Sequence, residues 1–163
     1  MRIPDTVRKW RSGLASWWRG RRTRPFGTGA TRADGRPDAG RWGESVAERM
    51  LRAKGLRFLG RRVRVGRRGE IDLLFRDRGT LVVVEVKTRS DERFGRPSDA
   101  VTRDKRRSLS KAALRYVRKL RVKPDYLRFD VVEVIGGPEK PTPPTIRHIE
   151  NAFPLEGRYF IPW

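Results

Sequence analysis

The stretch Gly69-Glu70-Ile71-Asp72-Leu73-Leu74-Phe75-Arg76-Asp77-Arg78-Gly79-Thr80-Leu81-Val82-Val83-Val84-Glu85-Val86-Lys87-Thr88 decides the fold. Two apolar, β-branched runs flank Asp77-Arg78-Gly79, a hairpin turn signal. The runs predict strands over 70–76 and 80–88, the second buried enough to be central. Each carries acid where apolar side chains belong. Ile71, Leu73 and Phe75 alternate onto one predicted face, which puts Asp72 with Leu74 on the other. Glu85 and Lys87 share a face opposite Val84 and Val86. If position 77 pairs with 80, Asp72 falls directly opposite Glu85, and opposed residues point to the same side. A slip of one residue would separate them. Two carboxylates ~5 Å apart repel unless a cation lies between them or one holds a proton. A divalent cation is the economical answer, since Mg²⁺ uses one or two carboxylates with water and phosphate oxygens. The bland alternative is a Glu85–Lys87 ion pair at a strand end.

Outward from this hairpin the pattern stays ordered. Trp42, Val46, Ala47, Met50, Leu51 and Ala53 form a helical stripe ending at Gly55, a C-cap residue. Residues 56–65 read as a strand, followed by the turn Gly66-Arg67-Arg68-Gly69. Arg103 to about Leu120 reads as a helix N-capped by Thr102. Residues 126–135 form a fourth strand. The proline-dense 136–144 is a loop, and 145–149 forms a fifth, edge strand. The element order is αβββαββ. On the first helix Glu44 lies at the margin of the buried stripe and can reach over the sheet, or it is simply a first-turn acid favoured by the helix dipole. Glu48 is expected further toward solvent.

Composition narrows the chemistry. The 163 residues contain no cysteine and one histidine, so disulfides, thiolate metal sites and most histidine acid–base schemes are excluded. No apolar run approaches the ~18 residues of a membrane span, and a cytoplasmic protein is expected. The formal charge of +21 points to a polyanion, most simply nucleic acid. Residues 1–39 carry +7 of it and 40–163 carry +14. Residues 20–40, rich in Gly, Pro, Thr and Arg, form a linker, so 1–39 is expected to be a basic extension and 40–163 the folded domain. Ile3, Val7, Trp10, Leu14 and Trp17 recur at helical spacing within the extension. It is read as a tail disordered when alone, an amphipathic helix for a membrane surface or partner protein, or a targeting segment.

Gly43-Glu44, Gly69-Glu70-Ile71-Asp72-Leu73 and Val84-Glu85-Val86-Lys87 together resemble the YraN family. Phe94-Gly95, Lys105 with Leu109 and Ala113, Arg128-Phe129-Asp130 and Asn151-Ala152-Phe153 extend the resemblance over roughly residues 40–155. That family looks like a branch of the PD-(D/E)xK nuclease superfamily and is similar to archaeal Holliday junction resolvases. The resemblance implies an α/β, restriction-endonuclease-like αβββαβ core, with a central mixed sheet flanked by helices. It implies Mg²⁺ or Mn²⁺ at Asp72 and Glu85, Glu44 as an auxiliary ligand, and Lys87 near the attacking water. The expected activity is endonucleolytic hydrolysis of branched or structured DNA, with DNA preferred to RNA and a homodimer suiting a two-fold junction. Arg67, Arg68, Arg89 and Arg96, in loops near the strand ends, and Lys105, on the apolar side of its helix, are the expected phosphate contacts. The alternative from another class is a nucleic-acid- or ribosome-binding module that keeps the fold without turnover.

Overall fold

The computed structural model describes residues 38–66, 69–91 and 101–156. The expected N-terminal helix and nearly all of the linker, as well as Arg67, Arg68, Arg96 and the Phe94-Gly95 motif, lie outside the described residues. The elements are α1 (Ala39–Ala53), β1 (Arg57–Val65), β2 (Gly69–Asp77), β3 (Thr80–Arg89), α2 (Arg103–Arg118), β4 (Tyr126–Ile135) and β5 (Thr145–Ile149). One five-stranded sheet runs β1-β2-β3-β4-β5. Only β3 and β4 are parallel; the other neighbours are antiparallel. A parallel pair needs a crossover, and α2 supplies it. The result is an α/β fold with a mixed sheet flanked by two helices, compatible with a restriction-endonuclease-like core.

Local chemistry sets the helix ends. Asp38 N-caps α1 by accepting from Arg41 N at 3.1 Å. At the other end Gly55 takes φ +89°, a conformation that favours glycine. There Gly55 N donates to Arg52 O at 2.9 Å and Leu56 N to Leu51 O at 3.1 Å, the paired bonds of a Schellman motif. Thr102 Oγ1 caps α2 through Lys105 N at 3.3 Å. The helix therefore starts where the sequence places it and ends two residues earlier.

The sheet is buried on both faces. Val46, Ala47 and Leu51 of α1 pack on Leu73, Phe75, Val82, Val84, Val132 and Val134. Leu109, Ala112, Ala113, Tyr116 and Val117 of α2 pack on the opposite face, with Leu74, Leu81, Val83, Phe129 and Val131. Here one expectation is corrected: Ile71 belongs to this second layer, not with Leu73 and Phe75. The change falls beyond Leu73–Val84, the last regular pair of the β2–β3 ladder. Opposite Asp72 in the β1 register, Arg62 leaves the regular pairing and takes φ +48°. Strict alternation holds only where the ladder is regular.

Two short motifs turn out to hold the C-terminal part. Asp130 is fully buried. It accepts from Arg128 Nε and Nη2, from Asn151 N and through an Nε2 contact with His148, all at 3.0 Å. Ala152 N donates to Phe129 O at 2.8 Å, and the Phe129 and Phe153 rings stack at 5.0 Å. Arg128-Phe129-Asp130 and Asn151-Ala152-Phe153 are thus two sides of one joint.

Candidate functional site

The β2–β3 hairpin brings the carboxylates together. Asp77 pairs with Thr80, and the register continues through Phe75–Val82 to Leu73–Val84. Just beyond that last pair, Asp72 and Glu85 lie close enough for their charges to repel. Where backbone pairing stops, the Asp72 side chain takes over: its Oδ2 accepts from Val86 N at 2.9 Å. Glu85 is 2% exposed. Its Oε1 lies 2.8 Å from Lys87 Nζ and its Oε2 3.0 Å from Lys105 Nζ. The first contact is the local pair expected from the strand; the second comes from α2, which delivers the one lysine on its apolar side.

Electrostatics at the pair are strained. Burial, then the neighbouring Glu85 charge, push the Asp72 carboxyl from 3.8 up to about 6, against the pull of the Val86 hydrogen bond and Lys105. Burial opposes the charged form of Lys105, but Glu85 and Asp72 overcome it and raise its pKa. The site thus holds two acids that repel and cations drawn in to offset them.

Glu44 arrives from the opposite helix. Gly43 permits this approach: a Cβ there would overlap the Thr88 hydroxyl, so only glycine lets the start of α1 close on the end of β3. Glu44 adds repulsion at Asp72, yet both its oxygens are held by Arg62, with Nε at 3.1 and 3.0 Å and Nη2 at 2.9 Å. Glu48, expected nearer solvent, is the more buried of the two at 1% exposure. Arg61 Nη2 at 2.6 Å and Arg52 Nε at 2.9 Å meet its carboxylate, and these partners, Arg61 reaching in from β1, permit the burial.

The donor set can be weighed against the implied metal. Among the described residues, no three histidine, cysteine or acidic side chains gather closely enough to hold an ion. Asp72 and Glu85 alone supply hard oxygen ligands, and buried Glu85 Oε2 receives no aligned hydrogen bond. Two carboxylates completed by water and phosphate oxygens suit Mg²⁺ or Mn²⁺. Glu44, tied to Arg62, does not join them in this structure.

Of the expected phosphate contacts, Lys105 is bound to Glu85, and Arg89 Nε lies 3.4 Å from Glu133 Oε1. Glu133 itself is 2% exposed and is a charged residue that the sequence reading passed over. The signal was there: it interrupts Val131-Val132-Glu133-Val134-Ile135 as Glu85 interrupts β3.

A mixed α/β sheet with a largely buried acidic pair and flanking lysines defines the class: an α/β fold, compatible with a restriction-endonuclease-like core, that carries a polar centre. The particular family follows from comparison. The model of uncharacterised protein family UPF0102 matches residues 43–134. The UPF0102 protein of Symbiobacterium thermophilum is 47% identical over 114 residues, covering 70% of this chain and 94% of that one. The relative from Geobacter metallireducens is 43% identical, covering 69% and 89%, and that from Geotalea daltonii 40%, covering 76% and 98%. The chain belongs to the UPF0102, or YraN, family. Among the described residues no helix is long and apolar enough to cross a membrane.

Proposed function

We propose that this protein is a metal-dependent endonuclease acting on branched or structured DNA. One observation carries the reading: Asp72 and Glu85, mutually repelling and costly where they sit, are kept together beside Lys87 and Lys105. A packing role alone is better met by apolar residues. Asp72 and Glu85 would hold Mg²⁺ or Mn²⁺, with the Val86 carbonyl as a further oxygen donor. The ion would supply Lewis-acid polarisation of a phosphodiester and a more acidic bound water.

The chain's own groups do the rest. Val86 N–H fixes the Asp72 carboxylate in place. Lys87 would stabilise the charge that grows on the phosphoryl oxygens in the transition state; its ion pair with Glu85 supports that role over proton abstraction. Lys105 offsets the acidic pair and offers a second cation to the substrate. The Arg62 clamp on Glu44 favours a centre of two carboxylates over three.

The test is incubation of the full chain with end-labelled four-way DNA and Mn²⁺. Cleavage by the parent, abolished in Lys87→Ala and Glu85→Ala with binding retained, supports hydrolysis. DNA binding with no cleavage of branched, flapped or single-stranded substrates supports the second reading, a binding module that keeps the fold. Equal Mn²⁺ uptake by parent and Asp72→Ala in calorimetry rules out the metal centre.

A further inference from the structure

Glu133 lies next to Lys87 in the parallel β3–β4 register and next to Arg147 in the β4–β5 register. Paired positions share a face, so Lys87, Glu133 and Arg147 form a row across three strands, on the side that carries Glu85. Arg89, two residues beyond Lys87, joins the row. Arg89 Nε lies 3.4 Å from one Glu133 oxygen and Arg147 Nη1 3.4 Å from the other. Exposure rises outward: the side chain of Glu133 is 2% exposed, that of Arg89 21% and that of Arg147 43%. A buried acid thus anchors two cations that face progressively into solvent. α2 packs chiefly on β2 and β1, away from this row.

Packing does not account for the arrangement. An apolar side chain in an otherwise apolar strand would avoid the desolvation cost of a buried charge. Held guanidinium groups, in contrast, suit phosphate, which they grip with paired N–H donors. We infer that Arg89 and Arg147, positioned across β4 by Glu133, form a binding site for backbone phosphates of a nucleic-acid strand passing the Asp72–Glu85 centre toward β5. The site deepens the nucleic-acid reading and rests on it.

The experiment is fluorescence anisotropy of the full chain with a fluorescein-labelled DNA duplex, without metal, from about 50 to 200 mM salt. Arg89→Gln and Arg147→Gln should each reduce the slope of log K against log salt by about 0.9, and the double variant by about 1.8. Arg57→Gln, the same charge change at the far end of the sheet, should leave the slope at the parent's value. Because Arg147→Gln leaves Glu133 with fewer partners, Glu133→Gln/Arg147→Gln repeats the test without that buried charge and should show the same reduction. Slopes matching Arg57→Gln overturn the site, as does a parent with no salt-dependent binding. Mn²⁺-dependent cleavage is followed in parallel. An arginine-dependent slope without cleavage defeats the hydrolytic reading and leaves the phosphate site standing; cleavage with an arginine-independent slope does the reverse.

Discussion

Replacing Asp72 by asparagine should stabilise the protein at neutral pH. The native carboxyl is pushed from 3.8 to about 6 by burial and by Glu85. Converted at about 1.4 kcal/mol per pH unit, that rise is worth about 3 kcal/mol. The Asp72 side chain is partly exposed, so solvent screening reduces the figure to ~2 kcal/mol. Its sign follows from linkage. Below pH ~4 the acid is neutral in folded and unfolded chains and costs nothing. Between pH ~4 and about 6 the unfolded chain ionises it while the folded chain resists, so stability falls across that window and levels off above it. Asparagine keeps the size and an oxygen for the Val86 N–H, yet never ionises. Its advantage should therefore be about half developed at pH 5 and full at pH 8. For a chain of this length ~2 kcal/mol corresponds to a Tm gain of ~4–8 °C. Mn²⁺ should then narrow the gap, because it stabilises only the chain that binds it, by about 2.7 kcal/mol at a hundredfold excess over Kd. Thermal melts at both pH values, with and without Mn²⁺, make the measurement. A variant destabilised equally at pH 5 and 8 would refute the picture of Asp72 as a charge held at a cost.

Three further outcomes are expected. Gly43→Ala should cost ~1–3 kcal/mol through the clash with Thr88, with part of the loss recovered in Gly43→Ala/Thr88→Ala; urea melts report both. Asp130→Asn should cost ~3 kcal/mol, because it leaves Arg128 without the buried carboxylate that two of its nitrogens meet; the urea midpoint should fall at constant m. Glu48→Gln should destabilise by at least ~1 kcal/mol, whereas an acid facing solvent would give no change in the same melts.

Much of this architecture was legible from local rules. A two-residue turn at Arg78-Gly79 dictates the hairpin register, which runs as expected from Asp77–Thr80 to Leu73–Val84, one step short of Asp72 and Glu85, without any tertiary information. The β4 and β5 limits followed from β-branched content and from prolines that cannot pair. What escaped involves partners distant in the chain. A helical wheel sees Glu48 against its own helix only; Arg61, on β1, makes its burial tolerable. The Arg62 clamp on Glu44 needs a left-handed residue in a strand, which no propensity suggests for arginine. Asp130 and Glu133 are different. Both are acids within an apolar strand, and the reasoning used for Glu85 applied equally to them. Asp130 even has its partner, Arg128, two residues away on the same face.

The lone parallel pair, β3 with β4, has a consequence for how the chain folds. β1, β2 and β3 are joined by short turns, so their pairing closes small loops at low entropic cost. β4 can join only after the long segment through α2 has been ordered. Asp72 and Glu85 therefore meet in an early hairpin, while Lys105 reaches them only when α2 docks. The nascent meander has only Lys87 to offset its acidic repulsion, and the crossover helix, by arriving with a second lysine, converts the remainder into a reason to finish folding.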